Sequence, residues 1–120
     1  MSDAFPAVGH KYLVDFTAPG ARFRVQLDFT SETSMTYTGI NDNGNPIPDS
    51  SETVVITVEA IRDKLFLVTW QEDEGDTVVH LEDYKMNTII TNITSPPQDP
   101  KDPKARPTFS RFHGTMTQIS

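Results

Sequence analysis

The sequence predicts an all-β fold, a single antiparallel eight-stranded up-and-down barrel, on three observations. Apolar residues recur at every second position over short runs. Gly, Pro, Asn and Asp punctuate those runs. No stretch carries the apolar spacing of an amphipathic helix. Short connections between successive runs favour hairpins, and strands in that number can close into a barrel that has no free edge and holds one small ligand. A two-sheet sandwich is the architectural alternative.

The first run, His10 to Phe16, puts Tyr12, Val14 and Phe16 on one face, and Ala18-Pro19-Gly20 ends it with turn chemistry. Arg22 to Phe29 alternates without a break: Phe23, Val25, Leu27 and Phe29 point one way, Arg22, Arg24, Gln26 and Asp28 the other. Thr33 to Ile40 is a third strand with Met35 and Tyr37 on one face. Asn41 to Ser51, rich in Asn, Gly and Pro, reads as a long loop. Thr53 to Ile61 is a β-branched strand, turned by Arg62-Asp63-Lys64 into Leu65 to Glu72. The acidic turn Asp73-Glu74-Gly75-Asp76 leads into Thr77 to Asp83, and Tyr84 to Asn87 leads into Thr88 to Thr94. Five prolines between Ser95 and Pro107 exclude helix and central strand and leave an exposed loop. Thr108 to Ile119 completes the set, with Gly114 inside it marking a bend or a close backbone approach.

Residues 1–120 are read as one domain, large enough to bury roughly two thirds of the surface of its unfolded chain. A net charge of −7 counts against nucleic acid and against an anionic membrane surface as partners. The absence of cysteine removes disulfides, thiol catalysis and cysteine-based metal sites. Met1 to Pro6 has neither a basic start nor an apolar core, and no apolar run spans a membrane, so a cytoplasmic location is expected. Asn92-Ile93-Thr94 matches a glycosylation sequon, which carries no weight without export.

The most informative stretch is the hairpin Leu65 to Asp83, which holds the single tryptophan. A two-residue turn at Glu74-Gly75 would set Trp70 opposite Val79 and Thr69 opposite His80. One face would then hold Phe66, Val68, Trp70, Val79 and Leu81, the other Leu67, Thr69, Gln71, Val78, His80 and Glu82. Either the Trp70 face lines the barrel, or the His80–Glu82 face does. Periodicity favours the Trp70 face, because it is the more apolar. A turn at Lys85-Met86 in the next hairpin places Thr91 beside His80 and Ile89 beside Glu82.

His80 is the best candidate for acid–base work, since imidazole titrates near neutrality, and Glu82 on the same face could orient it. The plain alternative is a solvated surface pair. Tyr12, Tyr37 and Trp70 each offer a flat wall with a polar tip, for a ligand or simply for the core. Thr91 joins them through its place beside His80. Arg111 shares a face with Phe109 and His113 and is a candidate for an anionic ligand group. His10, His80 and His113 lie on three strands without close ligand spacing, and the acidic turn lacks the spacing of a calcium loop, so no metal and no cofactor is expected. Phosphate loops, nucleophile elbows and dinucleotide fingerprints are missing.

Several segments together resemble the small MoaF-like proteins, a family named for molybdenum-cofactor biosynthesis. They are Phe29-Thr30-Ser31, Thr69-Trp70-Gln71-Glu72, the Gly75 turn, Val79-His80-Leu81-Glu82-Asp83, Thr91-Asn92-Ile93-Thr94 and Phe112-His113-Gly114-Thr115-Met116-Thr117. The resemblance implies a calycin-type, lipocalin-like barrel with a central cavity. It carries no catalytic signature to transfer, and the Pro96 to Pro107 stretch is longer than the connection it implies. The leading expectation is therefore a barrel that binds an apolar or aromatic metabolite. The rival is a cofactor-free isomerase, cyclase or lyase using His80 and Glu82; a third reading is an interaction module, with a second copy of the chain as partner.

Overall fold

A computed structural model of the chain describes residues 4–18 and 21–120. The Pro19-Gly20 turn lies outside the described residues. Among the described residues nine strands form one antiparallel sheet: β1 Lys11–Ala18, β2 Ala21–Phe29, β3 Ser34–Ile40, β4 Pro46–Val55, β5 Thr57–Arg62, β6 Leu65–Gln71, β7 Thr77–Asp83, β8 Thr88–Ser95 and β9 Thr108–Gln118. There is no helix among the described residues, and so none long and apolar enough to cross a membrane.

The strand order is β4-β3-β2-β1-β9-β8-β7-β6-β5, so every sequential pair but one is a hairpin, and the first and last strands also pair. The exception is β4 and β5. They are consecutive in the chain, separated only by Ile56, yet they are the two outermost strands. At Val55 the chain still pairs with Ser34 of β3, and at Thr57 it already pairs with Thr69 of β6. One bent segment thus serves both ends of the curled sheet, which is why nine strands fill the place of the eight expected. The Ile56 amide, at the bend, donates to the Thr33 carbonyl at 3.0 Å.

The stretch expected as a loop over Asn41 to Ser51 is corrected here, because β4 begins at Pro46. Proline lacks the amide hydrogen a central strand needs, but an outermost strand tolerates that gap. β4 takes up Pro46 and Pro48 there, with a register shift between Thr38 and Ile40 on its partner. Hydroxyl pairs hold the strand in place, Thr36 with Thr53 at 2.6 Å and Thr38 with Ser51 at 2.7 Å.

Alternation then sorts the side chains. Tyr12, Val14, Phe16, Leu27, Phe29, Met35, Val54, Phe66, Val68, Trp70, Val78, Ile89 and Met116 face inward and form one core. The segment before β1 caps one end: Phe5 meets the rings of Phe29, Phe66 and Tyr84 edge-on at 5.1, 5.1 and 5.6 Å, and Ala7 is fully buried beside it. At the β1–β9 pairing, Gly114 stands opposite Phe16, and a Cβ there would run into the Asp15 carbonyl oxygen. The close approach read from the sequence is this one.

Candidate functional site

The site is set by one hairpin. Gln71 pairs with Thr77, Trp70 with Val78, Val68 with His80 and Phe66 with Glu82, one residue away from the register expected for a two-residue turn. The Gly75 amide donates to the Glu72 carbonyl at 2.8 Å, and the Glu72 amide donates to the Asp76 carbonyl at 2.8 Å. Gly75 itself has φ of 100°, in the left-handed region. This is the three-residue hairpin in which a turn is followed by a left-handed glycine. A register slip of one residue moves a whole side-chain set across the sheet. Phe66, Val68 and Trp70 therefore share the inner face with Val78, His80 and Glu82, and both halves of the expected choice point inward. Val79 and Leu81, expected beside Trp70, face out.

Along β7 the inner residues run from the open end of the sheet to the capped end. Val78 and His80 border a cavity of about 150 Å³ whose other walls include Phe16, Phe23, Leu27, Tyr37, Trp70, Glu72 and Thr91. Trp70 meets the His80 ring edge-on at 4.6 Å, and Tyr37 stacks on Trp70 at 6.5 Å with 27° between the planes. Below the cavity, Glu82 is completely buried. Its Oε2 lies 2.9 Å from His80 Nδ1, and its Oε1 accepts from the Tyr84 hydroxyl at 2.6 Å. Burial above all, then the charge of Glu82, pushes the Tyr84 hydroxyl far above its ordinary range, which keeps it a donor. Tyr12 is raised by the same two causes.

A carboxylate can only accept, so with Glu82 in that form the 2.9 Å contact makes Nδ1 of His80 the donor. Nε2 of His80 has no hydrogen-bond partner among the described residues, and none of their buried side-chain polar atoms lacks one. That nitrogen therefore opens onto the cavity. The arrangement is an imidazole fixed from behind by a carboxylate, itself fixed from behind by a phenol, with one ring nitrogen presented to an apolar chamber. It can accept or donate a hydrogen bond there and can move a proton.

At the cavity mouth, Trp70 Nε1 donates to Glu72 Oε2 at 3.1 Å. The Tyr37 hydroxyl donates to Glu52 Oε1 at 2.6 Å, and Glu52 Oε2 accepts from the Asp73 amide at 2.9 Å. This last bond ties β4 to the β6–β7 turn across the gap where β4 and β6 diverge. Pro96, at the start of the proline-rich loop, lies against Gly75. The loop beyond it folds locally, with Asp99 and Asp102 side chains accepting the Lys101 and Lys104 amides at 3.0 and 2.8 Å.

The structure brings together Trp70, Tyr37, His80 and Thr91 at the cavity, with Glu82 behind them and Tyr12 in the core below. It places Arg111 and His113 elsewhere. β8 and β9 pair Thr91 with Phe112, so the alternate positions Asn92, Arg111 and His113 face outward. Arg111 Nε donates to Asn92 Oδ1 at 2.5 Å, with the guanidinium over Phe109. The two residues are thus removed from the candidate ligand site. His10, at the far end, contacts the Ser120 carbonyl at 3.1 Å, so the three histidines do not converge. Among the described residues no three His, Cys, Asp or Glu side chains are grouped to hold a metal ion.

Phe16, Phe23, Glu72 and Tyr84 were not singled out by sequence reasoning. Glu72 is two residues from Trp70 and Tyr84 two from Glu82, so strand period pointed to both once the inner face was known. Their place at strand ends hid them.

No curated protein matches this chain. Among solved structures, a crystal structure from Burkholderia vietnamiensis, provisionally named a beta-lactamase, superposes with a TM-score of 0.73 at 20% identity, covering 98% of this chain and 100% of that one. At that identity the likeness is one of fold. A family model described as MoaF-like matches residues 8–117, from just before β1 to the last turn of β9, and so takes in every strand that lines the cavity: this chain belongs to the MoaF-like family.

Proposed function

We propose that this MoaF-like protein binds a small, flat, mainly apolar molecule in the chamber between Trp70, Tyr37, Phe16 and Phe23. The observation that carries the reading is the lining itself: aromatic and aliphatic walls with His80, Glu72, Tyr37 and Thr91 as the few polar groups. Small-ligand sites have that composition. An apolar cavity of about 150 Å³ accommodates a single ring. The curled sheet with one capped end suits the lipocalin-like manner of binding that the family resemblance implies.

A beta-lactamase name on a fold relative at 20% identity gives no residue to carry over, and among the described residues neither a serine nor a lysine lines the cavity. The reading rests on the walls and not on that name.

Trp70 is the only tryptophan, so its emission reports the cavity directly. Titration with phenol, indole and similar single- or double-ring compounds should shift or quench it saturably, and Trp70→Phe should abolish the signal. A silent panel, checked by calorimetry, would overturn the proposal.

A second reading is favoured by the His80–Glu82 contact of 2.9 Å. In it the protein is a cofactor-free isomerase, cyclase or lyase: His80 Nε2 takes a proton from the bound molecule, and Glu82, held in place by Tyr84, stabilises the resulting imidazolium. It predicts turnover that is lost in His80→Gln while ring binding persists. Turnover unaffected by that substitution would remove His80 from the chemistry.

A further inference from the structure

We propose that the ligand of this cavity carries a positive charge: a compact aromatic amine whose ring lies against Trp70 and Tyr37 and whose ammonium group faces Glu72. The inference rests on the cavity-binding reading above and narrows its ligand class.

Of the polar groups on the chamber walls, Glu72 and His80 offer acceptors, and the Thr91 hydroxyl can either donate or accept. Glu72 lines the cavity and receives a bond from Trp70 Nε1, with the Tyr37 hydroxyl also near it. His80, 4% exposed, sets Nδ1 against Glu82 and turns Nε2 inward, where it accepts whenever the imidazole is neutral. The hydroxyl of Tyr37 is spent on Glu52. A ligand that satisfies this pair must donate hydrogen bonds at more than one point, as an ammonium does and a carboxylate cannot.

The walls favour the same charge. The faces of Trp70 and Tyr37 are electron-rich and attract a cation within about 6 Å of the ring centre. No lysine or arginine among the described residues lines the cavity, whereas Glu52, Asp73 and Glu74 border the adjoining surface on the other side of Tyr37. The arginines of the adjacent strand point outward, where Arg22 and Arg24 hold Asp15 at 2.6 and 3.4 Å. Burial, more than any other cause, pushes the Glu72 carboxyl up, and a cation at that oxygen would offset the penalty. The field at the mouth therefore draws cations in and repels anions.

The test is a titration of the full chain with three single-ring probes of matched size at neutral pH: benzylammonium, benzyl alcohol and benzoate. Benzylammonium should bind on the order of tenfold more tightly than benzyl alcohol, with benzoate weakest. In Glu72→Gln that preference should collapse to about twofold, and Glu72→Asp should retain part of it. If Glu72→Gln fails to fold, the order of the three probes on the unaltered chain decides alone. Benzyl alcohol or benzoate binding as well as benzylammonium would overturn the charge assignment and leave the cavity reading standing. Silence from all three probes together with the neutral ring panel would overturn both.

Discussion

At the capped end of the sheet, a carboxylate is buried with both oxygens engaged: Glu82 accepts from Tyr84 and meets His80, and Phe5 seals the space beneath. At the open end another carboxylate, Glu72, takes a bond from Trp70, has the Tyr37 hydroxyl near it, and borders the cavity. The two residues belong to one hairpin, Glu72 just past the end of β6 and Glu82 on β7, and differ in how completely the protein answers them. A satisfied buried group consolidates structure, and removing its partner is costly. A half-satisfied group beside a cavity costs stability and leaves capacity for something else to bind. Stability is concentrated at one end and recognition at the other, with His80 between them touching both.

The largest effect that would break this contrast is at Glu82. Glu82→Ala strands the Tyr84 hydroxyl and His80 Nδ1 in the core and should cost about 3–5 kcal/mol, read from the denaturant midpoint at constant slope. A loss under 1 kcal/mol would mean that the triad does not consolidate the capped end. Next comes Phe5→Ala, which opens a void between three rings and should cost about 3 kcal/mol while changing ring affinity at the other end less than threefold. A large loss of affinity there would show that the two ends are coupled. Tyr84→Phe keeps the ring and removes one bond to a buried carboxylate, so about 1.5–3 kcal/mol is expected in the same measurement.

The smallest effect has the opposite sign. Burial raises the Glu72 carboxyl above its unfolded value, so the folded state holds its proton more tightly than the unfolded state does. Its contribution is most favourable below the unfolded value and is lost as pH rises through the raised folded one. Glu72→Gln should therefore flatten that part of the stability–pH profile and raise neutral-pH stability by under about 1 kcal/mol, because the group is partly solvated. Thermal melts from pH 4 to 8 would show it, and a destabilised Glu72→Gln would erase the difference between the two carboxylates.

Much of the fold could be read from alternation, because inner and outer positions of β1, β2 and β6 differ sharply in polarity. The β7–β8 register was also legible: its turn fixes Thr91 beside His80, as expected. What failed was parity at the other turn. Asp73-Glu74-Gly75 places glycine third, the position that takes the left-handed conformation in a three-residue loop, and a two-residue reading shifts every partner by one. Periodicity then compounded the error, since it counts histidine and glutamate as outward residues. It has no means of knowing that Tyr84 waits to satisfy Glu82, and Glu82 to meet His80. Arg111 was misplaced for a related reason: sharing a face with Phe109 says nothing about which face is inside. β4 was hidden by its prolines, which only an outermost strand could absorb.

The pairing of β1 with β9 also bears on the order of events during folding. It joins residues about a hundred positions apart, and closing a loop of that length costs about 4 kcal/mol in chain entropy where a local hairpin costs far less. The hairpins should form first and this contact late, with Gly114 permitting the final approach. Phe16 of β1 is one wall of the cavity, so the chamber does not exist until that last seam zips. A bound ring would then leave the folding rate unchanged and slow unfolding, so that occupancy acts as a clock on the life of the native state.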